Sequence, residues 1–310
     1  MTSTRPRDQA TFLGSLVLLM IMAAVLWWLI GFLPWALGGF SWSTAAATAA
    51  GSSSDGLAGV RLPLPLVAAY LPSLLCCSVI GGVLAGVLPL AFPRVSKPAV
   101  LTAVMVVVSV TVVITLLTTR AVIHSHAGTN FAADDRVVGG LVGVVVAATA
   151  VGLVAGFAAY LHRGLVPLTA AVAAVAFPSW LSSFLNEGSY STGLVRAVDR
   201  AGPIVAGLLL LAGLALSVRH SWWPLVGWPV AAAIAWVGPS VVIGAGYLSV
   251  NLRPSSGLPD TFSDMVRGSA EAFRDSLGPS FRTWWPLLVA FVLAIAWGVG
   301  QQAMRSREDR

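Results

Sequence analysis

Long apolar blocks recur along this chain of 310 residues, and they constrain its fold more than any other feature. Each block is long enough to cross a hydrocarbon core about 30 Å thick, because a helix rises about 1.5 Å per residue. The run 104–113 is apolar except for Ser109 and Thr111 and includes five consecutive apolar positions, 104–108, whereas a membrane β-strand alternates apolar and polar residues. The sequence therefore predicts an all-α, polytopic transmembrane helix bundle.

Eight blocks are predicted to span the membrane, within a single integral membrane domain that covers residues 1–310. The first block is too long for the roughly 7 to 15 apolar residues of a cleaved signal peptide, so it is assigned as a span. The predicted spans are 11–40, 64–92, 99–118, 137–161, 166–184, 203–218, 224–248 and 284–302.

The distribution of charge predicts the orientation of these spans. Nine of the 18 basic residues fall in the two terminal segments and three short connections that lie on one side of the membrane. The longer connections on the other side hold the remaining nine, together with nine of the 12 acidic residues. Because short cytoplasmic segments retain Lys and Arg, both termini are predicted to be cytoplasmic.

Spans two to seven resemble three copies of one helical hairpin, each turning at a basic loop on the predicted cytoplasmic side. The residues 167–179 and 229–240 match best, with a Pro-Ser pair near the end of each segment. Alanine-rich helices also match by chance. A tandem hairpin repeat is therefore a hypothesis, which predicts that the copies pack as neighbours.

The two Pro-Ser pairs are the strongest candidates for a functional cavity. Proline lacks a backbone donor and frees the carbonyl one turn earlier, and freed carbonyls in lipid need another partner. Helix breaks at matching positions of two repeats are common at substrate sites of transporters. An ordinary proline kink is the alternative. The candidate cavity residues are Pro178, Ser179, Trp180, Ser182, Ser183, Pro239 and Ser240.

A short amphipathic helix is predicted at about 260–277, before the last span. Its apolar residues follow the helical spacing i, i+3, i+4 and i+11, and Gly278-Pro279 forms a stop signal. We expect it to lie at the outer membrane surface as a lid or spacer, or to bind a partner. The partner-binding face would consist of Phe262, Met265, Val266 and Phe273.

Asp, Glu, Lys and Arg are absent from the interior of all eight predicted spans, which argues against proton relays and intramembrane metalloprotease chemistry. The basic residues are scattered rather than arranged in a stripe, so no nucleic-acid partner is predicted. Among the 18 basic residues only Lys97 is lysine, and with the abundance of Ala, Val and Gly this composition is typical of a high-GC bacterial genome.

One connection carries the residues that could bind a metal. His124 and His126 are separated by one residue, and Asp134 and Asp135 follow. Two imidazoles and a carboxylate are common metal ligands, but this spacing matches no specific metal motif. A solvated loop is therefore the preferred interpretation, and neither a metal nor any other cofactor is predicted.

The sequence contains no phosphate-binding glycine loop, nucleophile elbow or His-Glu-x-x-His helix. We therefore predict a non-enzymatic, multi-pass component of the bacterial cytoplasmic membrane. It would bind another membrane protein, or a second copy of itself, in envelope assembly or division. The alternative is a permease or channel for a neutral, amphipathic or lipid-like solute. Transport is favoured if Pro178 and Pro239 face each other across a polar space, and partner binding if they face lipid or tight packing.

Overall fold

The computed structural model describes residues 6–37, 62–93, 95–125, 135–185, 192–218, 227–252, 262–281 and 283–308. Helices dominate these residues, and no strand occurs among them. The α-helices are α1 Pro6–Val25, α2 Leu33–Leu37, α3 Leu71–Val87, α4 Lys97–Ser125, α5 Asp135–Leu161, α6 Val166–Ser182, α7 Thr192–Val218, α8 Gly227–Asn251, α9 Phe262–Ser276 and α10 Trp285–Glu308.

The described helices confirm the predicted all-α membrane bundle. Among the described residues, seven helical segments are long and apolar enough to cross a bilayer, and an eighth, Trp285–Gln301, is apolar but shorter. The seven segments are Leu13–Ile30, Ala68–Ala91, Lys97–Ser125, Asp135–Leu161, Arg163–Leu185, Thr192–Ser217 and Gly227–Asn251.

The helix ends differ from the predicted span ends in several places. The first block is not one straight helix: α1 passes into a π-helical turn, Leu26–Ile30, and then into the short α2. Helix α4 continues to Ser125 instead of 118, and the hydroxyls of Thr118 and Thr119 bond to carbonyls one turn earlier. Helix α7 begins at Thr192, so Pro203 lies inside a helix that it was expected to start.

Helices α3 and α5 form the closest pair at the centre of the bundle, because glycines face each other along their contact. A Cβ placed on Gly82 would lie 2.5 Å from the carbonyl oxygen of Thr149 and 3.0 Å from the Cα of Gly152. A Cβ on Gly86 would lie 2.9 Å from the Cα of Gly156. Small residues at this spacing allow two helix backbones to touch, which drives helix association in lipid.

The π-helical turn joins α1 to this central pair. Trp27 is fully buried, and its indole N–H donates a hydrogen bond of 3.0 Å to the hydroxyl of Thr149 on α5. A Cβ on Gly31 would lie 2.8 Å from the Cα of Gly81, so the turn also rests directly on α3. Helix α4 packs along α1 through valines spaced four residues apart: Val100, Val104, Val108 and Val112.

Helices α6, α7, α8 and α10 form the other half of the bundle. Helix α6 lies against α3 and contacts both α7 and α8. Along α6 and α8 the contacts advance together: Gly164 meets Gly227, and Val175 meets Gly238. The two segments that match in sequence therefore run parallel, side by side and in register. The repeat itself stays a prediction, and the closest packing of α3 is with α5 rather than with its hairpin partner α4.

Candidate functional site

Three prolines from three neighbouring helices line one cleft in the second half of the bundle. Pro178 of α6, Pro203 of α7 and Pro239 of α8 surround a volume of about 290 Å³, and the residues that precede α10 close one side. This volume is at the lower end of small-molecule pockets, which measure roughly 300–1,000 Å³. The cleft is thus large enough for one chain or ring of a larger molecule.

Proline chemistry and small side chains together explain why the helices separate here. A proline cannot bond the carbonyl four residues earlier, and its ring pushes that carbonyl away. The residues four positions before Pro178 and Pro239 are Ala174 and Ala235, and both line the cleft. Alanine leaves space that a larger side chain would fill. The cleft lining comprises Ala174, Val175, Pro178, Ser179, Pro203, Ala206, Ala235, Pro239, Val242, Ile243, Thr283, Trp284 and Leu287.

The cleft is mainly apolar, with a few polar groups at defined places. Ser179 and Thr283 contribute hydroxyls, and none of the described lining residues is ionisable. The carbonyls of Ala174 and Ala235 each lack the usual donor from the residue four positions later. Such a site accepts an uncharged, largely apolar molecule and offers acceptors to a hydroxyl or amide group. It is less polar than the space that the transport hypothesis required.

One side of the cleft opens at the edge of the bundle. Thr283 and Trp284 directly precede α10, and 46% of Trp284 is exposed. Ile243 of α8 borders the opening as well and is 43% exposed. Exposed apolar side chains on a spanning helix face lipid, and tryptophan at a span end is typical of the membrane interface. We infer a lateral opening toward lipid near one membrane surface.

Helix α9 runs along α8 and leads to this opening. The hydroxyl of Ser269 donates a hydrogen bond of 2.9 Å to the carbonyl of Gly244, and Gly268 lies against the ring of Tyr247. The face of α9 that points away from α8 is polar, as the amphipathic pattern predicts. Of the predicted partner-binding residues, Phe262 is 40% and Val266 45% exposed, whereas Met265 and Phe273 are half-buried.

The other predicted cavity residues do not line the cleft. The indole N–H of Trp180 donates 2.9 Å to the carbonyl of Gly31, which ties α6 to the π-helical turn. The hydroxyls of Ser182 and Ser183 lie 3.0 and 2.7 Å from the carbonyl oxygen of Ser179, at the end of α6. Ser240 is fully buried in α8. These residues belong to helix ends and helix contacts.

The structure also shows the surroundings of two of the four candidate metal ligands, His124 and Asp135. His124 lies 3.6 Å from the carboxylate of Asp135, and Arg120 lies 3.7 Å from the same oxygen. The Arg120 Nε also lies 3.1 Å from the His124 ring nitrogen. Among the described residues, no three His, Cys, Asp or Glu side chains lie close enough together to hold a metal ion. His126 and Asp134 lie outside the described residues, so the four-residue site stays a hypothesis.

Pro203, Thr283 and Trp284 are cleft residues that the sequence did not reveal. Pro203 follows a glycine after a charged segment, which is typical of a helix start. The structure shows instead that α7 begins eleven residues earlier, which places Pro203 inside the helix. Thr283 and Trp284 are remote in sequence from the lining residues of α6, α7 and α8. Comparison with family models, with curated protein sequences and with solved structures gives no match to this chain.

Proposed function

We propose that this multi-span membrane protein is a permease or channel for a neutral, amphipathic or lipid-like molecule, whose uncharged part occupies the proline cleft. The observation that carries the proposal is the shared cleft itself. Pro178 and Pro239 occur at matching positions of two aligned segments, and they line the same cavity instead of facing lipid. Prolines at matching positions of two helices around a cavity resemble the interrupted helices that form substrate sites in transporters.

The energetics of lipid favour an amphipathic ligand over a purely apolar one. An alkyl chain that moves from the bilayer into the cleft gains little, because lipid tails are as apolar as the cleft wall. Selectivity therefore depends on the polar groups. Thr283 contributes a hydroxyl to the cleft lining, and a hydrogen bond from it to a hydroxyl-bearing molecule would contribute roughly 1 kcal/mol.

Binding of 1-monooleoylglycerol, an uncharged single-chain amphiphile, tests the proposal. Ala206→Phe places a ring in the cleft, and we expect it to abolish binding. Leu208→Phe is the matched control, because Leu208 is on the same helix but exposed outside the cleft. Binding is measured in mild detergent by native mass spectrometry, and unfolding temperatures show that both variants fold. Equal binding by all three proteins, or by none, would overturn the proposal.

The partner-binding role is the second candidate, and the exposed Phe262 and Val266 on α9 favour it. Apolar side chains on a polar surface helix are typical of interaction faces. Mild-detergent purification of the tagged protein from its native membrane, followed by mass spectrometry, separates the two functions. A stoichiometric protein that is lost from the double variant Phe262→Ser, Val266→Ser supports partner binding. A bound lipid without any protein supports the cleft.

A further inference from the structure

Two arginines extend the cleft-lining face of α7 toward its first residue. Counting back from Pro203, Arg200 and Arg196 lie three and seven residues earlier, so all three share one face of the helix. Along the axis they stand about 4.5 and 10.5 Å beyond Pro203. The apolar cleft is therefore continued by positive charge at the end of the bundle where it opens.

Both guanidinium groups are accessible to an anion. Each side chain is exposed, and neither forms an ion pair or hydrogen bond with another described residue. Asp199 is on the same face and is also exposed, so this segment has a net charge of +1. Arginine presents planar donors that match phosphate oxygens in a bidentate manner.

We propose that the ligand is a membrane lipid with an anionic phosphate headgroup, which binds Arg196 and Arg200 while one apolar chain enters the proline cleft. The inference rests on the proposed function and names the chemistry of its substrate. The apolar cleft is followed along α7 by the two arginines, just as the alkyl chain of such a lipid is followed by its phosphate. The chain lies among Ala174, Ala206 and Ala235, the headgroup linkage reaches Thr283, and the phosphate lies beyond Pro203.

A matched pair of probes separates this inference from the proposed function. Oleoyl lysophosphatidic acid and 1-monooleoylglycerol share the chain and the glycerol, and they differ only in the phosphate. We expect the wild-type protein to bind the phosphate probe about tenfold or more tightly, since each arginine near a membrane surface contributes on the order of fivefold. The double variant Arg196→Gln, Arg200→Gln should lose this preference and bind monooleoylglycerol unchanged.

Two further variants control for general charge effects. Arg267→Gln with Arg274→Gln removes two exposed arginines from α9, on the face opposite its contact with α8, and should leave the preference intact. Asp199→Asn removes the single negative charge from the proposed headgroup site and should strengthen binding of the phosphate probe severalfold.

Each outcome is decisive. Equal affinity of the wild-type protein for both probes would overturn the headgroup assignment but leave the cleft function standing. A phosphate preference that survives in Arg196→Gln, Arg200→Gln would overturn the role of these two arginines. A protein that binds neither probe would overturn the proposed function as well. A preference lost equally in the Arg267→Gln, Arg274→Gln control would show general attraction to a basic surface and contradict a specific site.

Discussion

Gly82→Ala should destabilise the protein, because the backbones of α3 and α5 already touch at this position. The new methyl carbon would lie 2.5 Å from the carbonyl oxygen of Thr149, whereas ordinary van der Waals contact begins at 3.4 Å. The two helices must therefore move apart by about 0.9 Å, the difference between these distances. A gap of that size removes roughly a quarter to a half of the dispersion energy of the contacts it opens.

We expect Gly82→Ala to lower the free energy of unfolding by about 1–3 kcal/mol, the usual cost of overpacking. Gly143→Ala is the control on α5, where a new Cβ meets no atom within 4 Å. Since alanine is the better helix former, this control should be neutral or slightly stabilising. Unfolding in mixed micelles with increasing SDS measures both variants. If Gly82→Ala were as stable as Gly143→Ala, the close packing of α3 and α5 would be refuted.

Three further predictions test the anchor, the cleft and the orientation. Thr149→Val removes the acceptor of the Trp27 indole and should cost roughly 1 kcal/mol; a double-mutant cycle with Trp27→Phe that shows no coupling would contradict the bond. Pro178→Ala restores a helix hydrogen bond, so it should maintain or raise the unfolding temperature. The same variant should bind monooleoylglycerol more weakly, and unchanged binding would exclude a role for Pro178 in the cleft. In a cysteine-free background, Ser263→Cys should react with a membrane-impermeant maleimide in intact cells, whereas Arg163→Cys should react only after lysis. The reverse pattern would contradict the predicted orientation, in which both termini are cytoplasmic.

Local patterns in the sequence were sufficient to predict the fold class and part of the cleft. Apolar blocks predict helices because lipid leaves the backbone no other partner, and the amphipathic period predicts α9 to within a few residues. Pro178 and Pro239 were recognisable because proline has the same local effect in any helix. Each of these inferences depends on residues that are close together along the chain.

The remaining features depend on contacts between distant residues. Trp27 and Thr149 are 122 positions apart, and neither residue by itself indicates their hydrogen bond. The π-helical turn beside them lies against Gly81 of α3, which is again a contact between residues far apart in sequence. Their proximity to Pro178 in sequence predicts that Trp180 and Ser183 line the cavity. Helical rotation instead directs Trp180 toward Gly31 and Ser183 toward Ser73.

Photolabelling tests the central claim most directly, because it locates the bound molecule on the chain. A monooleoylglycerol analogue with a diazirine in its alkyl chain is bound, irradiated and mapped by mass spectrometry of peptides. The proline cleft predicts that labels concentrate at Ala174, Ala206 and Ala235, and that excess monooleoylglycerol suppresses them. Labels confined to lipid-facing residues such as Val292 and Leu293, and insensitive to the competitor, would contradict the existence of a binding site in the cleft.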